Sequence, residues 1–91
     1  MSEPPPVPSP VRLRIAADPA PQITLRLLGL VARLDLVPRE FRALRSRRTL
    51  LVEIMLDHLD GPATDRLHRQ LAAVVGVRRV RARCSCRAVL D

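Results

Sequence analysis

Arginine alternates with apolar residues in two segments near opposite ends of the chain. In the first, VRLRIAA (11–17), the apolar residues Val11, Leu13 and Ile15 are separated by arginines, and the stretch VRRVRARCSC (77–86) repeats this spacing. Successive side chains of a strand point to opposite faces, so a period of two predicts a strand with one buried face. We therefore expect two strands whose alternating arginines face solvent.

A helix is predicted after the first of these strands. Residues 22–35, QITLRLLGLVARLD, repeat apolar side chains at helical spacing. Asp18 suits the N-cap and Pro19 the first helical position, while Gly29 costs such a helix up to about 1 kcal/mol relative to alanine. The expected buried stripe consists of Ile23, Leu27, Leu30 and Leu34, widened by Leu28 and Val31.

A second amphipathic helix is predicted over residues 65–76, DRLHRQLAAVVG. Asp60 or Thr64 lies where its N-cap should be, Pro62 suits its first turn, and Gly76 is a natural C-cap. Its buried stripe is expected to contain Leu67, Leu71, Val74 and Val75.

Two further strands are predicted between the helices. The segment LVPREFRALR (36–45) reads as an edge strand, because Pro38 cannot donate to a strand ladder. The segment TLLVEIMLD (49–57) alternates more clearly, with Leu50, Val52, Ile54 and Leu56 on one face.

The resulting order is strand, helix, strand, strand, helix, strand, and a DPA or DGPA sequence precedes each helix. This order predicts an α+β, ferredoxin-like βαββαβ fold, with an antiparallel sheet of order 4-1-3-2 and both helices on one face. We expect one domain over residues 11–91. Residues 1–10, MSEPPPVPSP, are expected to form a disordered proline-rich tail.

Composition limits the possible functions. The net charge is +7, and all of the 16 lysine-plus-arginine positions are arginine. This charge favours anion or nucleic-acid binding, whereas the absence of lysine and asparagine indicates the codon bias of a GC-rich genome, the explanation that we favour. No apolar run reaches the roughly 18 residues of a membrane span. The sequence lacks a secretory signal pattern, so we expect a soluble cytoplasmic protein.

The predicted sheet order brings the first and last strands together and collects their arginines on the uncovered face. This basic face could bind RNA, dock an acidic protein surface or be solvated. RNA-binding sheets of this fold stack bases on aromatic side chains, and the corresponding positions here hold none, so we expect no base-stacking recognition. The residues predicted to bind a protein partner are Arg12, Arg14, Leu51, Met55, Arg79, Arg81 and Arg83.

Neither a metal site nor catalysis is predicted. Cys84 and Cys86 are expected to face inward as free thiols, and His58 and His68, the remaining candidate ligands, are expected to be surface histidines that nothing brings near them. The sequence shows no nucleophile with a nearby base, no pair of carboxylates in a predicted cleft and no glycine-rich phosphate loop. We expect a protein without a cofactor or enzymatic activity.

The segments VRLRIAADP, RLLGLVARLDLVP, TLLVEIMLD and RLHRQLAAVVGVRRV together resemble an ACT domain, and most closely the small regulatory subunit of acetolactate synthase. The resemblance extends over about residues 11–84. In its second half, Leu67, Leu71 and Val80 stand where such subunits have core residues.

The resemblance implies a regulatory subunit that dimerises side by side and modulates a thiamine-dependent catalytic partner in branched-chain amino-acid biosynthesis. It also implies an amino-acid effector at the loop between the first strand and helix, where the matching residues are Asp18, Ala20, Pro21, Gln22 and Ile23. This loop contains no glycine. The alternatives are a free-standing amino-acid-sensing module and a ferredoxin-like nucleic-acid-binding domain.

Overall fold

Four strands and two helices follow one another in the predicted order. The computed structural model describes residues 10–57 and 59–84, with Cys84 described by its backbone alone. The elements are β1 Val11–Ala17, α1 Pro21–Arg33, β2 Glu40–Arg45, β3 Leu50–Leu56, α2 Gly61–Ala72 and β4 Val77–Cys84. The predicted tail lies, apart from Pro10, outside the described residues, and the domain limits stay a prediction.

All strand pairs are antiparallel, and the sheet order is β2-β3-β1-β4. This is the predicted order 4-1-3-2 read from the other edge, so the ferredoxin-like fold is confirmed. The central strand β1 sets the alignment, because Ile15 pairs with Val52 on one side and with Val80 on the other. The apolar residues of the three strands therefore share one face.

The core lies between this face of the sheet and the two helices. Every second residue of β1 and β3 is buried, and the apolar stripe of each helix packs against them. The buried set consists of Val11, Leu13, Ile15, Ala17, Ile23, Leu27, Val31, Leu50, Val52, Ile54, Leu56, Leu67, Leu71 and Val80. Among the described residues, only aliphatic side chains fill this core, and Phe41 is half-buried at its edge beside Ile54.

The predicted cap of α1 is wrong. The helix begins at Pro21, and its N-cap is Ala20, which provides no side-chain hydrogen bond. Asp18 is unavailable as a cap because its N–H donates to the carbonyl of Gly76 at 2.8 Å and its carboxylate binds Arg78. Because these contacts hold Asp18, α1 begins two residues later than predicted.

The end of α1 shortens the predicted second strand. Asp35 has φ 62°, and the N–H groups of Asp35 and Leu36 donate to the carbonyls of Ala32 and Val31. This is the bonding pattern of a Schellman motif, which reverses the chain after a helix. Pairing with β3 begins only at the N–H of Arg39, so β2 is an edge strand as predicted but starts at Glu40.

The residues before β2 consequently differ from the prediction. Val37, which falls within the predicted strand 36–45, lies in the connection instead and is 88% exposed. Pro38 also precedes the strand, since it has no N–H to give to β3.

Helix α2 is capped by Asp60, whose Oδ1 accepts the N–H of Ala63 at 2.7 Å. The helix ends at Ala72, four residues earlier than predicted, so Val75 is 80% exposed and not part of the buried stripe. Gly76 is therefore not the C-cap of α2. It is nevertheless required where it stands, because its φ is 99° and a Cβ atom would lie 2.6 Å from Cδ1 of Ile23.

Gly76 and Gly29 should respond in opposite ways to substitution by alanine. Gly76→Ala should lower the free energy of unfolding by more than about 1 kcal/mol, because it imposes both a strained backbone and a clash with Ile23. Gly29→Ala should raise it by about 0.5–1 kcal/mol, because a Cβ on that helical residue would meet nothing within 4 Å. Urea denaturation followed by circular dichroism measures both changes, and equal effects would contradict the described packing.

Candidate interaction surface

Residues on the face of the sheet opposite the helices form three rows, because side chains paired across antiparallel strands point to the same side. We call this surface the open face. From β2 to β4 its rows are Glu40–Met55–Arg12–Arg83, Arg42–Glu53–Arg14–Arg81 and Leu44–Leu51–Ala16–Arg79. The structure brings together on this face all of the residues that the sequence predicted for partner binding, while the binding itself stays a prediction.

One acidic side chain balances the centre of the open face. Oε2 of Glu53, on β3, lies 3.7 Å from Nε of Arg12 and 3.5 Å from Nε of Arg14. These two arginines stand directly opposite Arg83 and Arg81 on β4, an arrangement of like charges that destabilises a sheet. The carboxylate on β3 therefore offsets the repulsion between the arginines of β1 and those of the edge strand β4.

The charge along β4 is not balanced in this way. Arg79, Arg81 and Arg83 form no ion pair with any residue that the structure describes, and all three are exposed. On the opposite edge, Arg42 lies 3.9 Å from the carboxylate of Glu40. The positive potential of the open face is therefore strongest along its β4 edge.

An apolar corner adjoins these arginines. Leu44 and Leu51 are paired across β2 and β3, and they are 66% and 47% exposed. A shallow depression of about 360 Å³ opens beside them. Its lining also includes Ala16 and the side chains of Arg79 and Arg42. The open face therefore combines aliphatic surface with guanidinium groups.

At one end of the sheet, Arg78 of β4 contacts two connections. Its guanidinium lies 2.7 Å from Oδ1 of Asp18 in the β1–α1 connection. It also donates to Oγ1 of Thr49 at 3.2 Å and to the carbonyl of Arg48 at 2.8 Å, both in the β2–β3 connection. The pairing of β1 with β4 shifts here, since Ala17 pairs with Val77, and this irregularity leaves Arg78 free to reach these acceptors.

The β1–α1 connection, predicted to hold an effector, has few free backbone donors. The N–H groups of Asp18, Ala20 and Ile23 are hydrogen-bonded to Gly76, Asp18 and Ala20 respectively. Proline occupies the positions before and after Ala20 and has no N–H. Gln22 therefore offers the remaining N–H of this connection, at the first turn of α1.

His68 is not the plain surface histidine that the sequence predicts. It is partly buried, and its Nε2 lies 2.9 Å from the carbonyl oxygen of Val80. Because a carbonyl can only accept, Nε2 carries the proton. The contact joins α2 to β4, and the Val80 carbonyl is thereby satisfied.

The other candidate metal ligands lie outside the described residues: His58, Cys86 and the side chain of Cys84. Among the residues that are described, no group of histidine, cysteine and acidic side chains could hold a metal ion. Neither of the two described helices is long and apolar enough to cross a bilayer.

Sequence reasoning missed several residues that shape this surface. Arg42 and Leu44 follow from the alternation of β2 once Phe41 is placed inward, so their position on the open face was predictable. Glu53 was visible as the acidic residue of a central strand beside two arginine-bearing strands. The position of Arg78 was harder to predict, because strict alternation would place its charged side chain on the same face as buried Val80.

No protein-family model and no curated protein matches the sequence. Solved structures are similar in fold. The ACT domain from GTP pyrophosphokinase of Chlorobium tepidum matches with a TM-score of 0.74 and 17% identity, over 84% of this chain and 99% of that one. An ACT domain protein from Streptococcus pneumoniae matches with a TM-score of 0.74 and 8% identity, over 92% and 98% of the two chains.

A third similar structure is the C-terminal domain of the MgtC protein from Mycobacterium tuberculosis, with a TM-score of 0.64 and 17% identity over 91% of this chain and 93% of that one. At such low identities, these matches show the fold alone. The chain therefore has the ferredoxin-like fold of ACT domains, which confirms the fold implied by the sequence resemblance.

The role of Glu53 can be tested by removing its charge. Glu53→Gln should lower the free energy of unfolding by about 0.5–1 kcal/mol at low salt, because Arg12 and Arg14 lose their shared partner. The loss should shrink in about 1 M NaCl, where the screening length falls to roughly 3 Å. Urea denaturation at both salt concentrations measures this loss of stability. The control is Asp65→Asn, which removes a negative charge at an exposed position of α2. A loss that salt does not alter would contradict the electrostatic explanation.

The contacts of Arg78 can be separated from its charge by comparison with its neighbour. Arg78→Met should lower the free energy of unfolding by about 1 kcal/mol, because three acceptors lose their donor at a partly exposed site. Arg79→Met removes the same charge without breaking an ion pair and should change the free energy of unfolding by less than about 0.5 kcal/mol. A double-mutant cycle of Arg78→Met with Asp18→Asn should show coupling, and strict additivity would argue against the ion pair.

Proposed function

We propose that this chain is a non-catalytic regulatory module of the ACT type, which docks on a catalytic partner through its open face. The observation that carries the proposal is the composition of that face. Exposed Leu44 and Leu51 line the same depression as Arg79 and Arg81, and these two arginines have no ion-pair partner among the described residues. An exposed aliphatic patch bordered by charge is typical of a protein interaction site.

For the partner, we propose the thiamine-dependent catalytic subunit of acetolactate synthase, in branched-chain amino-acid biosynthesis. The support is the sequence resemblance over residues 11–84, together with the ACT-type fold. Docking would act allosterically, because a module that binds the active conformation more tightly than the inactive one shifts the partner toward activity. Side-by-side dimerisation of the module belongs to the same proposal.

An amino-acid effector is the further element of this proposal. Its site would be the connection of Asp18, Ala20, Pro21, Gln22 and Ile23. Since Gln22 has the one N–H of this connection that makes no hydrogen bond within the described residues, an effector carboxylate would meet it at the first turn of α1. Titration calorimetry with valine, leucine and isoleucine tests this element separately, and the absence of heat at millimolar concentrations would remove it while leaving partner docking in place.

Docking on the catalytic subunit is tested by native co-purification and by activity. The tagged chain should co-elute with the thiamine-dependent subunit, and adding it to that subunit should change kcat severalfold. The double variant Arg79→Glu with Arg81→Glu should lose both effects. Arg66→Glu with Arg69→Glu, which makes the same charge change on α2, should retain them.

Failure of the catalytic subunit to co-elute, together with an unchanged kcat, would rule out the acetolactate synthase partnership. Loss of both effects in the α2 variant as well would show that net charge matters and the open face does not. Analytical ultracentrifugation of the isolated chain decides on dimerisation, since a monomer at tens of micromolar would contradict it.

A further inference from the structure

The charges of the open face are balanced unevenly. In the centre, Oε2 of Glu53 lies 3.7 Å from Nε of Arg12 and 3.5 Å from Nε of Arg14. Arg79 and Arg81 stand at the β4 ends of two neighbouring rows, with no acidic partner among the described residues. Backbone positions two residues apart along a strand are separated by about 6.6–6.8 Å, so these two unneutralised arginines occupy neighbouring positions on the same face of β4.

The apolar corner lies in the same row as one of these charges. Leu44 and Leu51 occupy the β2 and β3 positions of the row that ends at Arg79, with Ala16 between Leu51 and the arginine. The depression beside them reaches from Leu44 to Arg79 and Arg81. Aliphatic surface and unneutralised charge are therefore accessible to one ligand at the same time.

We propose that this part of the open face binds an acidic protein segment that carries an aliphatic anchor. The anchor side chain lies in the depression between Leu44 and Leu51, and carboxylates of the same segment pair with Arg79 and Arg81. The inference rests on the proposed docking function and specifies the chemistry of the partner. Burial of an aliphatic side chain favours binding, and this contribution distinguishes such a segment from any other polyanion.

A protein segment fits this surface better than a nucleic acid does. Sheets that bind single-stranded RNA stack bases on aromatic side chains. The aromatic residue of this chain, Phe41, lies on the helix side of the sheet, where it pairs with buried Ile54. On the open face, the rows offer leucine, methionine and alanine instead, which provide aliphatic contact without a stacking platform.

The test uses the full chain and three fluorescein-labelled probes measured by anisotropy. They are an acidic peptide with one central leucine, the same peptide with serine in place of leucine, and oligouridylate RNA. The leucine peptide should bind at least about tenfold more tightly than the serine peptide, a difference of 1.4 kcal/mol. It should also bind more tightly than the RNA at physiological salt.

Two pairs of variants locate the binding. Arg79→Glu with Arg81→Glu should weaken binding of the leucine peptide by at least about tenfold, whereas Arg66→Glu with Arg69→Glu should weaken it less than about threefold. Leu44→Ser with Leu51→Ser should abolish the difference between the leucine and serine peptides. The control for the leucine pair is Val75→Ser, at an exposed apolar residue outside the open face, which should preserve that difference.

Each remaining outcome overturns the inference. Equal binding of the two peptides shows unspecific attraction to positive charge, and tighter binding of the RNA assigns the face to phosphate. Equal losses in the sheet and helix variants show that position does not matter. Far-ultraviolet circular dichroism and a thermal melt of every variant exclude unfolding as the cause.

These outcomes are distinguishable from failure of the proposed function. The peptide measurements involve only this chain, so they can fail while the catalytic subunit still co-elutes through another surface. Conversely, specific binding of the leucine peptide would stand even if acetolactate synthase proved not to be the partner.

Discussion

One-sided burial of the central strand is the constraint on which the whole structure depends. In β1, Leu13 and Ile15 are buried while Arg12 and Arg14 are exposed, and this strand pairs with both β3 and β4. A shift of one residue in either ladder would bring arginines into the aliphatic core, where an unpaired charge is very costly. The core and the basic open face are therefore two consequences of the same alignment.

This arrangement concentrates charge that the fold does not need. Packing of the core requires only that the inner positions be apolar, and polar residues of either sign would serve on the open face. Glu53 neutralises part of the charge of Arg12 and Arg14 on β1, but Arg79 and Arg81 remain without a neutralising partner in the part of the chain that the structure describes. Codon bias would explain why the cations are arginines, but not why Leu44 and Leu51 are exposed on the same face. The proposed docking function would account for both the charge and the exposed leucines.

The predictable part of this protein is the part in which local pattern and tertiary packing agree. The strand Val11–Ala17 and the open-face position of Arg81 follow from a period of two, and Asp60 caps α2 as its residue type suggests. The predictions failed for side chains that bind a residue far away in the chain and are therefore not in the local role that their sequence suggests. Asp18 has an equally good local sequence for a cap, yet its carboxylate binds Arg78, which lies sixty positions away in the chain. His68 likewise bonds the carbonyl of Val80 across two elements.

The sequence by itself determined which residues of β1 and β3 face inward, because apolar periodicity is a local property of each strand. From this periodicity and the order of elements, the sheet order and the basic face could be derived. Only the tertiary structure decided where α1 begins, which acceptors Arg78 reaches, and that the exposed leucines line one depression with Arg79 and Arg81. Those features depend on distances between segments far apart in the chain, and no local pattern encodes such distances.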